Sequence, residues 1–104
     1  ILLCNETKVL AVKNYHAALN MPVTETIRQF VQKETMQLFS LQDGVYPIPS
    51  GRYPVSAFFP IPGETRYGSA LGLLLCPIND RNFSEMELGC AKMTAAAITR
   101  YLNQ

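Results

Sequence analysis

The sequence predicts an α+β fold, in which an antiparallel sheet carries its helices mainly on one face and the elements run β-β-α-β-β-β-α. Two stretches carry this prediction. Residues 69–76 (SALGLLLC) are apolar on both faces of a strand, which is typical of a central strand covered on both sides. A capped helix with two apolar stripes follows at residues 84–102. The 104 residues suffice for one domain.

The first third of the chain predicts a hairpin and then a helix. Residues 1–12 hold two strand-like segments, ILLC and KVLAV, with a turn between them. Pro22 suits the first turn of a helix, where a missing amide costs nothing. Apolar residues then recur at helical spacing among polar ones, so the predicted helix spans residues 22–34. These residues are Val23, Ile27, Phe30 and Val31.

The middle of the chain predicts two strands around a loop. Residues 36–41 (MQLFSL) and 55–61 have strand-like patterns. Residues 42–54 (QDGVYPIPSGRYP) are rich in proline and glycine, and proline cannot donate to a sheet ladder. We therefore expect a loop or a sheet edge there. A turn at residues 63–68 leads into the central strand.

The last helix has the clearest start. Ser84 and Glu87 have the spacing of a capping box, and Phe83 and Leu88 fit a hydrophobic staple. The first apolar stripe consists of Leu88, Ala91, Ala95, Ile98 and Leu102. The second consists of Met86, Cys90, Met93, Ala97 and Tyr101. A helix on one small sheet needs a single stripe, so we predict that the second is a dimer interface.

Composition excludes several classes of protein. Nine basic and eight acidic residues are scattered along the chain, so no basic patch for nucleic acid is predicted. The longest apolar run, residues 70–76, is far shorter than the roughly 20 residues of a membrane span. Cys4, Cys76 and Cys90 lack the number and spacing of a disulfide framework or a metal site. We expect three buried thiols in a reducing cytoplasm.

No catalytic residue, metal site or cofactor is predicted. His16 is the lone histidine, and a catalytic histidine needs a partner that orients it. Glu85 and Glu87 are two residues apart on a helix, so they point in different directions and do not form an acid pair.

Four segments resemble the C-terminal GAF-like domain of the stage V sporulation protein T family of AbrB-type regulators. They are LLCNETKVLAV, ALNMPVTETIRQFVQKETM, FFPIPGETRYGSALGLLL and MTAAAITRYLNQ. More distantly, the last hairpin and helix resemble the sensor domain of the CodY family of branched-chain amino-acid repressors. The matching residues are Pro60-Ile61-Pro62-Gly63-Glu64, Arg66, Gly68, Phe83, Ser84 and Leu88.

This resemblance implies one GAF-like regulatory domain over residues 1–104, as a fragment of a longer cytoplasmic, sporulation-type transcription regulator. The family's leading helix and its DNA-binding arm have no counterpart in this sequence. The family implies a homodimer that pairs through terminal helices and senses a small molecule. DNA would be contacted through a domain absent from this chain.

The resemblance also implies a ligand pocket between the sheet and its connecting loops. The candidate ligand-binding residues are Tyr46, Arg52, Tyr53, Phe58 and Pro60. Arg52 could pair with a carboxylate or a phosphate. Equally, Arg52 could be a solvated loop residue and the tyrosines could merely cover the core. The alternatives are a structural oligomerisation domain whose own side chains fill the pocket, and a GAF-type thiol reductase, for which the cysteine spacing does not fit.

Overall fold

The computed structural model describes residues 1–62, 70–78 and 83–102. Within them, five strands form one antiparallel sheet with the spatial order β2-β1-β5-β4-β3. The strands are β1 (Leu2–Cys4), β2 (Val9–Val12), β3 (Gln37–Leu38), β4 (Ala57–Ile61) and β5 (Leu71–Leu75). The α-helices are α1 (Glu25–Lys33) and α2 (Glu85–Leu102). The α+β class is confirmed.

Strand β5 is the centre of the sheet, as its two-faced apolar pattern predicted. It lies between β1 and β4, and all five of its residues are buried. Alternate residues point to opposite faces of a strand, so Leu73 and Leu74 belong to separate core clusters. Gly72 faces Phe58, and a Cβ atom there would lie 2.3 Å from Cε2 of that ring. The glycine therefore makes room for Phe58 to lie across the sheet.

The two helices lie on opposite faces, so the prediction of helices mainly on one face is wrong. Ile27 of α1 packs in the cluster of Phe58, and we name this side the α1 face. Ala91 of α2 packs in the cluster of Phe59, and we name that side the α2 face. The reason is that β4 and β5 are apolar on both sides and need cover on both.

Helix α1 begins three residues later than predicted. Pro22 is not in its first turn but forms an isolated antiparallel bridge with Lys8, beside the first hairpin. The N-cap is Thr24, and the helix ends where Glu34 adopts a left-handed conformation with φ of 55°. The tertiary contact with the hairpin therefore decides where the helix can start.

Strand β3 keeps two of the six residues predicted for it. The chain leaves the sheet at Ser40 and enters a short 3-10 turn, Leu41–Asp43. Ser40 caps that turn, and its amide donates to Oδ2 of Asp43 at 2.8 Å. This local capping box competes with the strand and ends it.

The start of α2 confirms the predicted capping box. The amide of Ser84 donates to Oε1 of Glu87 at 2.9 Å, and the amide of Glu87 donates to Oγ of Ser84 at 3.2 Å. Phe83 and Leu88 both pack against the core cluster of the α2 face. The turn predicted at residues 63–68, with the family motif that falls on it, lies outside the described residues. Among the described helices, none combines the length and the apolar content that crossing a bilayer requires.

Candidate functional site

The outer side of α2 carries a row of exposed apolar residues. Met86 is 80% exposed, Met93 72% and Tyr101 71%. Cys90 and Ala97, which belong to the same predicted stripe, are exposed as well. Three large side chains at this exposure leave on the order of 400 Å² of apolar surface open, which is within the range of a functional patch on a monomer. We call these five residues the outer face of α2.

The opposite side of α2 is seated on the sheet, as predicted. Ala91 and Ala95 are buried there. The other members of the first stripe are partly buried against the same cluster: Leu88, Ile98 and Leu102. The division of the helix into a sheet-facing stripe and a second stripe that the sheet does not cover is therefore confirmed.

Gly89 has no side chain, so it leaves the backbone of α2 open to solvent at this point. It lies in the helix interior, where glycine costs roughly 0.5–1 kcal/mol relative to alanine. A Cβ atom at this position would meet no described atom within 4 Å, so packing inside the chain does not require the glycine. Gly89 and Cys90 are small residues between Met86 and Met93, and Ala97 is a small residue between Met93 and Tyr101.

Helix α2 leaves grooves along both of its flanks, where it meets the sheet. The larger groove has a volume of about 650 Å³ and lies between α2 and the end of β4. We name it the β4 groove. Its lining includes Met36, Phe59, Pro60, Lys92, Ala95 and Arg100.

A second groove, on the opposite flank of α2, has a volume of about 330 Å³. It is lined by the sheet residues Leu73 and Leu75 and, from α2, by Met86 and Cys90 among others. A third opening of about 310 Å³ lies near Leu10 and Leu102. The central sheet residues of the α2 face are buried, and the openings lie along the flanks of the helix, where Leu3 and Leu10 are only partly buried.

The β4 groove carries positive charge over an apolar floor. Lys92 and Arg100 lie eight residues apart on α2, and both line the groove. Neither has an ion-pair partner within the described residues, in contrast to Arg28, whose Nε donates to Oε2 of Glu25 at 2.8 Å. Sequence reasoning missed both cations, although their i, i+8 spacing places them on neighbouring sides of one helix.

The five predicted ligand residues are divided among four places. Arg52 and Tyr53 lie around Tyr15, whose hydroxyl accepts from the amide of Arg52 at 3.2 Å. The rings of Tyr15 and Tyr53 are edge-to-face, with centroids 5.2 Å apart. Phe58 is fully buried in the core of the α1 face, and Pro60 lines the β4 groove.

Tyr46 holds the loop at another point. Its side chain is 41% exposed, and its carbonyl accepts from Oγ1 of Thr24 at 2.7 Å. Further along the same loop, the amide of Val55 donates to the carbonyl of Val45 at 2.6 Å. Loop 42–56 is therefore held down over the α1 face by its own backbone. A role of the five residues in ligand binding stays a prediction.

The thiols differ between the two faces. Cys4 and Cys76 are buried on the α1 face, and burial raises the pKa of each from 9.0 to about 12. Both are therefore protonated and unreactive at neutral pH. The prediction that Cys90 is buried as well is wrong for this chain, because it belongs to the outer stripe of α2.

The lone histidine and the acidic residues were also weighed for catalysis or metal binding in the sequence. His16 is exposed on a 3-10 turn, His16–Ala18. Across residues 1–62, 70–78 and 83–102, no three His, Cys, Asp or Glu residues come together as a metal site.

The outer face of α2 and the β4 groove are therefore the candidate binding surfaces among the described residues. No family model matches this sequence, and no curated protein matches it either.

Proposed function

We propose that this protein is the GAF-type regulatory domain of a bacterial, sporulation-type transcription regulator, and that it pairs with a second copy through the outer face of α2. The observation that carries the proposal is the exposure of Met86, Met93 and Tyr101 on a helix whose other side is already seated on the sheet. Removing such apolar surface from water favours association. A cytoplasmic location and DNA contact through another domain belong to the same proposal and come from the sequence resemblance.

The spacing of the outer face suits a second helix of the same kind. Met86, Cys90, Met93 and Ala97 follow one another at intervals of four, three and four residues, which is the spacing of a coiled-coil seam. Large and small side chains alternate along it, so each methionine can enter the gap left by a small residue of the facing helix. The same patch on both subunits then gives a closed two-fold dimer.

Charge favours an antiparallel arrangement of the paired helices. Glu85 and Glu87 lie in the first turn of α2 and Arg100 in the last. Antiparallel pairing that sets Met86 against Ala97 of the partner subunit also brings the acidic start of one helix near the basic end of the other. Parallel pairing aligns like charges and is disfavoured.

Mass in solution tests the dimer. We expect twice the 11.6 kDa of the chain for the wild type in analytical ultracentrifugation, and the single-chain mass for Met93→Glu and Ala97→Glu. The matched control is Leu19→Glu, which adds the same charge at an apolar residue that is 44% exposed and lies away from α2. Unchanged mass in the α2 variants, or a wild type that stays at single-chain mass at high concentration, contradicts the proposal.

A second proposed function, sensing of a small molecule at loop 42–56, is favoured by the arrangement around Tyr15. The backbone of Arg52 is anchored there while its side chain is exposed, so its guanidinium can reach a carboxylate or phosphate. A ligand shifts the regulator only by binding one of its states more tightly than the other.

Thermal-shift measurements with amino acids, nucleotides and acyl compounds test this sensing role. A ligand present at 100 times its dissociation constant should add about 2.7 kcal/mol of stability, and Arg52→Gln should abolish that gain. Dimerisation without any hit across these classes favours a purely structural oligomerisation domain.

A further inference from the structure

The β4 groove has the dimensions and chemistry of a small-molecule site. Its volume of about 650 Å³ is within the roughly 300–1,000 Å³ that such sites span. Phe59 and Pro60 of β4, Met36 before β3 and Ala95 of α2 provide apolar walls. Phe59 is only 2% exposed, so its ring forms part of a fixed core rather than a mobile rim.

The charge of the groove is one-sided. Lys92 and Arg100 are separated by about 12 Å along the helix axis, so they lie toward opposite ends of the groove. Both side chains can lay their aliphatic stems along the apolar wall and keep their charged ends in water. No aspartate or glutamate is among the described residues that line the groove.

We propose that the β4 groove binds a small carboxylate with an apolar body. The apolar walls take the hydrocarbon part, and Lys92 or Arg100 takes the carboxylate in a charge-assisted hydrogen bond. A neutral alcohol of the same length gains the apolar contact alone. An amine is disfavoured, because its ammonium group meets a cation at either end of the groove and no carboxylate among the described lining residues.

This site is separate from loop 42–56, because Arg52 does not line the β4 groove. The proposal rests on the proposed regulatory function only for its regulatory consequence. Arg100 directly precedes Tyr101 of the outer face, so a ligand in the groove lies beside the proposed dimer interface. Binding itself does not require pairing, because Phe59, Pro60 and Lys92 are not part of the outer face.

Calorimetric titration with three eight-carbon probes tests the proposal on the full chain. We expect octanoate to bind about tenfold more tightly than octan-1-ol, and octylamine to bind more weakly than either. The preference for octanoate should shrink as the salt concentration rises, since both cations are exposed to solvent. Equal affinity for octanoate and octan-1-ol overturns the proposal.

Two double variants test which positive charges cause the preference for octanoate. Lys92→Gln with Arg100→Gln should abolish the preference for octanoate and leave the affinity for octan-1-ol unchanged. The matched control, Lys8→Gln with Lys33→Gln, removes the same net charge from exposed residues elsewhere and should keep the preference. If the first double variant keeps the preference for octanoate, or if both double variants lose it equally, the assignment to this groove is overturned.

The variant Met93→Glu separates this proposal from the dimer. Octanoate should bind it with wild-type preference even if the outer face no longer pairs. If octanoate binding is lost in Met93→Glu, the probe occupies the outer face and the groove proposal fails, whatever the oligomeric state.

Discussion

The two faces of the sheet are covered in different ways. On the α1 face, α1, the 3-10 turn at His16–Ala18 and loop 42–56 together enclose Phe58, which is not exposed at all. On the α2 face, a single helix rests on the sheet through Ala91 and Ala95 and leaves grooves on both flanks. The same strands, β4 and β5, supply both faces.

This difference follows from side-chain size. Helix α1 presents large groups such as Ile27 and Phe30, and the ring of Phe30 lies over Phe39 and Phe58 with centroids 5.3 Å and 6.0 Å away. Helix α2 places only Ala91 and Ala95 fully in the core, while its larger side chains Leu88, Ile98 and Leu102 are partly buried at the sides. The large side chains of the α1 face are enclosed in its core, whereas the grooves beside α2 leave apolar surface for a partner or a ligand.

Truncating adjacent phenylalanines of β4 tests the comparison with the largest expected effect. Phe58→Ala should cost about 3–5 kcal/mol of unfolding free energy, because it leaves a closed cavity. Phe59→Ala should cost less, about 2–3 kcal/mol, because the vacated space opens into the β4 groove and water can fill it. Urea denaturation measures both. Equal costs would mean that the α2 face is as closed as the α1 face.

Alkaline pH tests the closed face through its thiols. The pKa values of Cys4 and Cys76 are about 12 in the folded chain, above 9.0, so their contribution to stability is complete below pH 9 and is lost as the pH rises toward 12. At pH 10.5 each thiol should have lost about 2 kcal/mol. The wild type should therefore lose about 4 kcal/mol more between pH 8 and 10.5 than Cys4→Ala with Cys76→Ala.

The control for this titration is Cys90→Ser, since Cys90 is exposed on α2. It should keep the wild-type dependence of unfolding free energy on pH. If the unfolding free energy of the wild type does not change between pH 8 and 10.5, water reaches the two buried thiols and the α1 face is not closed.

Gly72→Ala tests the fit of the ring on the closed face. The new Cβ atom would lie 2.3 Å from Cε2 and 3.0 Å from Cζ of Phe58, so the ring must shift. We expect a loss of about 1–3 kcal/mol. Phe58→Leu in the same chain should restore part of it, and a double-mutant cycle measures this coupling. Additive effects of the two substitutions would exclude the clash as the cause.

Ser84→Ala tests how the helix of the open face is anchored, with the smallest expected effect. The serine hydroxyl accepts from the amide of Glu87, and its loss should cost about 1 kcal/mol. Thermal unfolding measures the change, and Ser50→Ala at an exposed loop residue is the control. A loss no larger than that of Ser50→Ala would show that packing on the sheet alone holds the start of α2.

Part of the candidate site could be predicted from the sequence. The two stripes of α2 are periodic, so their separation was visible without coordinates, and the outer face was identified by residue. The β4 groove could not be predicted from the sequence. Lys92 and Arg100 come together with Phe59 and Pro60 only when the chain folds, because more than thirty residues separate them along the sequence. Phe58 and Phe59 are adjacent and chemically identical, yet one lies in the closed core and the other borders a groove.

By itself, the sequence determined the features whose partners lie within a few residues: the two-faced pattern of β5, the first hairpin and the capping box of Ser84 and Glu87. These depend on local backbone geometry and on the alternation of side chains. The tertiary structure alone decided which face each helix covers, where α1 begins beside the first hairpin, and which groove Lys92 and Arg100 line. Those outcomes depend on which distant segments pack on the same apolar surface, and local sequence patterns do not predict that packing.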